Sequence, residues 1–320
     1  MQSPLPVRDG VNATRLRLPD EGPWDTAMDY MMHRWGHIDP QGIEDRFDAG
    51  EIVGEAGLPL DRSTPLQDHT FIWYYRTLPP ETRIPVELKI VHQDEHLLVV
   101  DKPHFLPTTP GGTYIQESAL VRLRNQLQLP DLVPMHRLDR MTAGILLLST
   151  NPETRGKYQV LFEKRKVQKE YECVAAAQPA PGYPAVDFPV VVRNRMTKSR
   201  SYLLAEVVEG EPNAETRIDR LRTFETDAAA VSDGPSDARS RRRALYRLEP
   251  HSGKTHQLRV HMASLGLGIV NDAFYPELLD KAPDDYAKPL QLLARGIRFV
   301  DPVSGKPVEY RSRLTLSEAR

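Results

Sequence analysis

The sequence predicts an α+β protein in which a mixed, largely antiparallel sheet is flanked by helices. Three observations support this prediction. The chain has 320 residues, enough to bury the core of one large domain or two modest ones. Segments with the pattern of short strands occur together with segments of helical periodicity. No internal repeat is visible, so we do not expect a solenoid or a propeller.

The N-terminal part of the chain has its own pattern. Residues 1–22 are rich in Pro, Asp and Arg, which predicts a poorly ordered extension. Residues 23–83 are predicted to form a small domain, and the proline pair within residues 78–82 predicts a stiff linker at its end. The elements expected in this domain are helices over residues 27–32 and 43–47 and strands over residues 50–53 and 70–75.

Residues 84–320 are predicted to form one larger domain. It begins with a hairpin over residues 90–100 that turns at Asp94 and Glu95. A tract near residues 225–243, rich in Ala, Ser, Asp, Gly and Pro, predicts a flexible insertion. The other expected elements are helices over residues 114–128 and 152–163, a loop and buried strand over residues 135–150, and strands over residues 167–176, 201–208, 216–224 and 244–249.

The composition is that of an ordinary globular protein and argues against several classes. Hydrophobic residues make up 40% and charged residues 27% of the chain. No apolar stretch approaches the roughly 18 residues of a membrane span, and the N-terminus lacks the basic and apolar regions of a signal peptide. The single cysteine, Cys173, excludes an internal disulfide and fits a reducing cytoplasm. Its apolar neighbours predict a buried, inert thiol.

The basic residues are unevenly distributed, although the formal net charge is only −2. One group lies in residues 157–169 and a second in residues 193–200. Either group alone is typical of a solvated helix face. Two groups flanking one candidate site favour a rim that binds phosphates. The residues expected in this rim are Lys164, Arg165, Lys166, Arg195 and Lys198.

The most informative segment places one carboxylate, Asp139, between two arginines, just before an apolar run at residues 145–148. An apolar run between polar segments predicts a fully buried strand. Asp139 would then lie on a loop anchored by rigid structure, a position that suits chemistry. A neighbouring guanidinium favours the ionised carboxylate. The alternative is a turn residue held in a structural ion pair.

Four segments resemble the RluA-type pseudouridine synthases, which isomerise uridine within RNA. They occur in the family's order within residues 84–320. The resemblance implies an α+β catalytic domain with a bent, mixed and largely antiparallel sheet, and a reaction without metal or cofactor. The four segments are VVDKP at 99–103, HRLDRMTAGILLL at 136–148, QKEY at 168–171 and SGKTHQLRVHM at 252–262.

The resemblance also assigns roles. Asp139 would be the catalytic carboxylate, Arg259 would pair with it, and Tyr171 would lie against the uracil. Arg137 matches the family's arginine that enters the space left by an extruded nucleotide. The other residues expected to bind substrate are His136, Arg140, Lys169, His256, Gln257 and Val260.

The chain departs from the family pattern at three places. Ala143 stands where the family usually has Ser, Phe105 stands where it has Gly, and residues 267–272 replace a His-Pro-Ile-x-Gly-Asp segment. None of these changes removes the expected carboxylate, tyrosine or arginine. They therefore concern the choice of substrate more than the type of reaction.

Other interpretations remain open at this point. Residues 23–83 loosely resemble a small RNA-binding module of the ribosomal-protein-S-four type, and a purely structural subdomain is the alternative. The whole chain could be a catalytically silent RNA-binding protein, or a nucleoside or glycoside hydrolase, although glycosidases usually need two cooperating carboxyl groups. His92 and His96 match a zinc-peptidase pattern, but strands are expected around them. We expect RNA as partner, a monomer and no membrane association.

Overall fold

The computed structural model describes residues 3–78, 80–199, 204–226, 242–280 and 282–319. Residue contacts divide the chain into two compact units. The first comprises Met1–Thr82, Gly112–Gln116 and Val121–Pro130; the second comprises Arg83–Gly111, Glu117–Leu120 and Asp131–Arg320. Among the described residues, no helix is both long enough and apolar enough to span a membrane.

The first unit packs two helices against a two-stranded antiparallel sheet. Thr26 begins the first helix with a capping box, in which its side chain and that of Asp29 each accept a backbone N–H of the other residue. Asp39 caps the second helix, and Pro40 occupies its first turn. The elements are β1 (Thr14–Arg17), α1 (Ala27–Trp35), α2 (Pro40–Asp48) and β2 (Phe71–Tyr74).

Two predictions for this part of the chain are wrong. Residues 1–22 are not simply an extension, because β1 pairs with β2 and the side chains of Leu16 and Leu18 are buried in the core of the first unit. Burying two leucines offsets the entropy of ordering a short segment. The strand expected over residues 50–53 is reduced to isolated bridges from Val53 to Pro59 and Trp73.

The second unit is built on one sheet that, among the described residues, has eleven strands in the order β3-β4-β6-β12-β7-β11-β10-β8-β9. β13 also pairs with β12 and β5 with β6. The pair β6–β12 is parallel and the others are antiparallel, which confirms the mixed α+β fold. The strands are β3 (Lys89–Gln93), β4 (Leu97–Lys102), β5 (Val133–Pro134), β6 (Ala143–Ser149), β7 (Gln168–Ala176), β8 (Val190–Lys198), β9 (Ala205–Val208), β10 (Ala214–Glu225), β11 (Arg242–Pro250), β12 (Leu292–Val300) and β13 (Pro307–Arg311).

Three further helices complete the described elements: α3 (Ala119–Leu127), α4 (Pro152–Glu163) and α5 (Gln257–Ser264). Helix α4 spans the expected residues 152–163; Asn151 caps it, and Pro152 is its first residue. Helix α5 packs on the core of the sheet through Leu258 and Met262. The insertion predicted near residues 225–243 falls largely on residues 227–241, outside the described residues.

The position of Gly144 fixes how the two central strands meet. Gly144 has φ +113, and a Cβ on it would lie 2.2 Å from the carbonyl oxygen of Ala294 on β12. Any side chain would therefore push β12 away from β6, where the parallel pairing begins. The glycine of the Asp139 motif therefore has a structural role. It lets β6 and β12 approach closely just beyond the candidate site.

Candidate active site

Asp139 lies on the loop between β5 and β6, and this loop is held from both sides. The Thr108 hydroxyl donates to the Leu138 carbonyl at 2.8 Å and accepts from the Leu138 N–H at 3.1 Å. His104 Nδ1 donates to the Met141 carbonyl at 2.6 Å. The Asp139 carbonyl accepts from the Thr142 N–H at 3.0 Å. The backbone on each side of Asp139 is therefore fixed, while its side chain remains about one-third exposed.

Lys102 supports the same loop from within the core. Its side chain is fully buried, and its ammonium donates to the carbonyls of Pro103 and Leu106 at 2.8 Å and of Arg140 at 3.3 Å. Burial lowers the pKa of Lys102 to about 7, and the nearby Asp139 carboxylate opposes this shift. The lysine thus ties the end of β4 to the residue that follows Asp139.

Arg259 on α5 binds a carboxylate that the sequence analysis did not single out. Its Nε and Nη2 donate to Asp272 at 2.8 and 2.5 Å, and both side chains are almost completely buried. Its Nη1 lies 3.9 Å from Asp139 Oδ2. The expected pairing of Arg259 with Asp139 is therefore present as an ion pair, but it is not the shortest contact of the guanidinium. Asp272 holds the guanidinium by two short hydrogen bonds, and Asp139 is only a second, more distant partner.

His256 joins Asp139 to a tyrosine. His256 Nε2 lies 3.8 Å from Asp139 Oδ2, and Nδ1 lies 3.0 Å from the Tyr275 hydroxyl. Burial lowers the pKa of His256, although the Asp139 carboxylate opposes the shift. The Tyr275 hydroxyl also accepts from the Ala205 N–H at 2.8 Å. The contact with Tyr275 helps to hold the imidazole in one orientation.

Tyr171 comes from β7 and is partly buried against the sheet core. Burial raises the pKa of its phenol well above the usual range, and the Asp139 carboxylate adds to this effect. The phenol therefore stays protonated at neutral pH. It can offer a ring face and a hydrogen-bond donor, but it is a poor base in this state.

These residues share one cleft of about 1130 Å³ in the second unit. Segments far apart in sequence meet there because β7, the β5–β6 loop and α5 all border the cleft. The predicted site residues that line it are His136, Arg137, Asp139, Arg165, Lys169, Tyr171, His256, Gln257 and Arg259.

Two of these lining residues form hydrogen bonds with other residues of the protein. His136 Nε2 accepts from the Leu147 N–H at 3.2 Å and its ring stacks on Phe162, while burial lowers its pKa to about 3. The Gln257 side chain accepts from Ser252 and donates to Thr216, at 2.8 and 2.9 Å. Both side chains therefore support the walls of the cleft.

Other predicted residues do not line the cleft. Arg140 makes a bidentate pair with Asp284, with both N–O distances 2.7 Å. Val260 is buried in a small core with Met196 and Ala214. A short local sequence does not reveal these partners, which come from distant segments. The expected rim residues outside the cleft are Lys164, Lys166, Arg195 and Lys198.

Sequence reasoning missed Asp272, Lys102 and Tyr275. A signal existed for Asp272, which stands at the aspartate of the family's His-Pro-Ile-x-Gly-Asp segment. Asn271 then stands at the glycine, and its φ of +62 is one that Asn tolerates better than most residues. Within the described part of the chain, no group of three or more His, Cys, Asp or Glu side chains could hold a metal ion.

Comparisons with known proteins point to one family. Residues 96–264 match a family model described as RNA pseudouridylate synthase. The chain is 29% identical over 228 residues to the dual-specificity RNA pseudouridine synthase RluA of Salmonella typhi, covering 70% of this chain and 92% of that protein. It is 28% identical over 248 residues to an uncharacterized RNA pseudouridine synthase of Synechocystis, covering 78% of each.

A solved structure, human RNA Pseudouridylate Synthase Domain Containing 1, shares the fold. The TM-score is 0.54 at 22% identity, covering 73% of this chain and 86% of that one. The family model spans more than half of the 320 residues and includes all four motif segments. The chain therefore belongs to the RluA-type RNA pseudouridine synthases, which are isomerases that act on RNA.

Proposed function

We propose that this chain converts specific uridines of ribosomal or transfer RNA into pseudouridine, with Asp139 as the catalytic carboxylate. The observation that best supports the proposal is the shared cleft. Asp139, Tyr171 and Arg259 come from separate segments and line it together, with Arg259 Nη1 3.9 Å from the Asp139 carboxylate. A carboxylate, an aromatic ring and a cation are what the reaction needs beside the nucleotide.

The chemistry requires a group at the ribose and a support for the detached base. The N1–C1′ bond breaks, the uracil turns, and C5 bonds to C1′; C5 loses its proton and N1 gains one, so the product is an isomer. Asp139 acts at the sugar, either as a nucleophile at C1′ or as a base. Because the atoms of the base are retained, the conversion needs neither an oxidant nor a group donor. The fixed loop around Asp139 holds its carboxylate in place for this step.

Tyr171 and Arg137 have complementary roles in this proposal. The Tyr171 ring stacks on the uracil, an interaction of about 1–3 kcal/mol per base. Its raised pKa favours this role over that of a base. The target nucleotide must leave the RNA stack, at a cost of a few kcal/mol. Arg137 is exposed at the cleft and has no ion-pair partner among the described residues, so it can enter the space that the nucleotide leaves.

One assay separates this proposal from its alternatives. RNA carrying tritium at C5 of uridine is incubated with the wild type and with Asp139→Asn. Isomerisation releases tritium to solvent, and the variant should release none while it still binds RNA. Free uracil would instead indicate a hydrolase. Retained label with RNA binding by the wild type would indicate a silent RNA-binding protein.

The RNA class needs a second experiment. Mapping pseudouridine in ribosomal and transfer RNA from cells with and without this protein should identify positions that disappear together with it. An unchanged map in both RNAs would refute this part of the proposal.

We also propose that the protein is a monomer and that it is cytoplasmic. The cytoplasm fits the single, buried cysteine. RNA binding by residues 23–83 remains a further proposal.

A further inference from the structure

The acidic residues that line the cleft are largely neutralised by arginines. Arg311 donates to Glu170 at 2.8 Å and to Glu309 at 3.0 Å. Arg193 donates to Glu215 at 2.6 Å. A fourth lining glutamate, Glu249, has two arginines within 4 Å. These carboxylates therefore repel an anion in the cleft only weakly.

The cations of the cleft are not neutralised in the same way. Among the described residues, Arg259 and Arg311 each have a carboxylate within 4.0 Å. The histidines aside, the other cations that line the cleft have no carboxylate within this distance among the described residues. Glu163 is the one lining glutamate without an arginine partner. The cleft thus has a surplus of unpaired positive charge, and its unpaired members are Arg137, Arg165, Lys169, Lys254 and Arg298.

Arg298 on β12 is the clearest example of an unpaired cation, because the strand register places a glutamate opposite it. Glu309 lies directly across from it on β13, but the Glu309 carboxylate is bound by Arg311. Its other cross-strand neighbour, Gln168, carries no charge. The Arg298 side chain is exposed, lines the cleft and lies outside the four motif segments. Its charge is therefore available to a ligand.

Three other cations come from neighbouring parts of the same cleft. Lys169 and Arg165 both line the cleft. Burial lowers the pKa of Lys169, and the charge of Arg165 lowers it further. A Cβ on Gly253 would lie 3.7 Å from the Lys169 ammonium, which brings the Lys254 segment to the same point. Like charges that are held together without an intervening carboxylate are typical of a site for phosphate.

The size of the cleft fits an extended ligand. Its volume of about 1130 Å³ exceeds the roughly 300–1,000 Å³ of pockets that hold one small molecule. Space therefore remains beyond the residues that surround a single uridine. A nucleic-acid strand that continued through this space would bring its phosphates to the unpaired cations.

We propose that Arg298, together with Arg165 and Lys254, binds phosphodiester groups of the RNA strand that flanks the target uridine. This inference rests on the proposed function for the nature of the ligand. Of the rim expected from sequence, Arg165 lines the cleft and belongs to this group.

The test measures RNA affinity as a function of salt. A fluorescein-labelled stem–loop RNA with uridine in its loop is titrated with the wild type, Arg298→Gln and Arg298→Lys. A single-strand phosphate contact contributes about 0.7 to the slope of log Kd against log salt, and a duplex contact about 0.9. Arg298→Gln should lower the slope by about that amount and weaken binding several-fold. Arg298→Lys should keep the slope.

Lys306 provides the matched control. It is an exposed cation in the turn between β12 and β13 and does not line the cleft. Lys306→Gln should leave the slope and the tritium release unchanged. If Arg298→Gln had the same salt slope as Lys306→Gln, the phosphate contact of Arg298 would be refuted, even if the wild type isomerised uridine. If the wild type released no tritium but Arg298→Gln lost slope, the proposed function would fail and the contact would stand.

Discussion

The pair between Arg259 and Asp272 gives the sharpest test of how the site is built. Asp272→Asn removes the negative charge but keeps an oxygen that can accept from Arg259. In the wild type, two short hydrogen bonds hold the guanidinium toward Asp272, and Asp139 lies 3.9 Å away. In the variant, Asp139 becomes the nearest carboxylate to Arg259 among the described residues. We expect Arg259 to turn toward it.

The magnitudes follow from burial and distance. Breaking a buried ion pair costs about 3–5 kcal/mol of stability, and the retained amide oxygen places Asn near the lower end. A new charged hydrogen bond between Arg259 and Asp139 would contribute about 1.5–3 kcal/mol. That bond must break before Asp139 can act at the ribose. Each 1.36 kcal/mol is tenfold in rate, so tritium release should slow about 10- to 150-fold.

The assay is tritium release under single-turnover conditions with saturating protein, alongside urea unfolding. Glu172→Gln is the control, because Glu172 and Arg295 form a hydrogen-bonded ion pair that is largely shielded from solvent and does not line the cleft. It should lower stability and leave the rate of the folded protein unchanged. A folded Asp272→Asn protein with the wild-type rate would refute the idea that Asp272 keeps Arg259 away from Asp139.

Three other predictions concern separate parts of the molecule. The folded pKa of Lys102 is about 7 against 10.5 for a free lysine, so between these values the unfolded state binds more protons and stability rises with pH. Measured by urea unfolding relative to Lys102→Met, the free energy of unfolding of the wild type should rise by about 1.4 kcal/mol per pH unit above pH 7. If the stabilities of the two proteins changed in parallel with pH, the lowered pKa of Lys102 would be contradicted. Tyr171→Phe keeps the ring and should bind RNA within about threefold of the wild type, whereas Tyr171→Ala should bind about 5- to 150-fold more weakly; equal loss in both would argue against stacking. Leu18 is almost fully buried, so Leu18→Ala should cost about 2–5 kcal/mol, whereas a change below about 0.5 kcal/mol would indicate an unpacked extension.

Local patterns predicted those elements whose pattern is strong. Asn151 and Pro152 mark the start of α4, and the apolar run at residues 145–148 lies within the fully buried β6. The motif residues Asp139, Tyr171 and Arg259 do meet in one cleft. These features depend on short stretches of sequence, where capping, periodicity and motif spacing are informative.

The features that were missed depend on distant contacts. Helix α5 is buried on nearly all sides from Gln257 to Ala263, so no amphipathic periodicity marks it. Strand β1 has only four residues, of which Leu16 alone is apolar, and its order depends on pairing with β2. Two ion pairs, Arg259 with Asp272 and Arg140 with Asp284, form only when distant segments of the chain come together.

The most direct test measures tritium release and RNA binding on the same samples of wild type and Asp139→Asn. We expect the wild type to release C5 tritium without freeing uracil. The variant should bind the same RNA within about threefold, because none of the phosphate contacts proposed above involves Asp139, and should release no label above background. Release by folded Asp139→Asn at the wild-type rate would contradict the assignment of the reaction to this carboxylate.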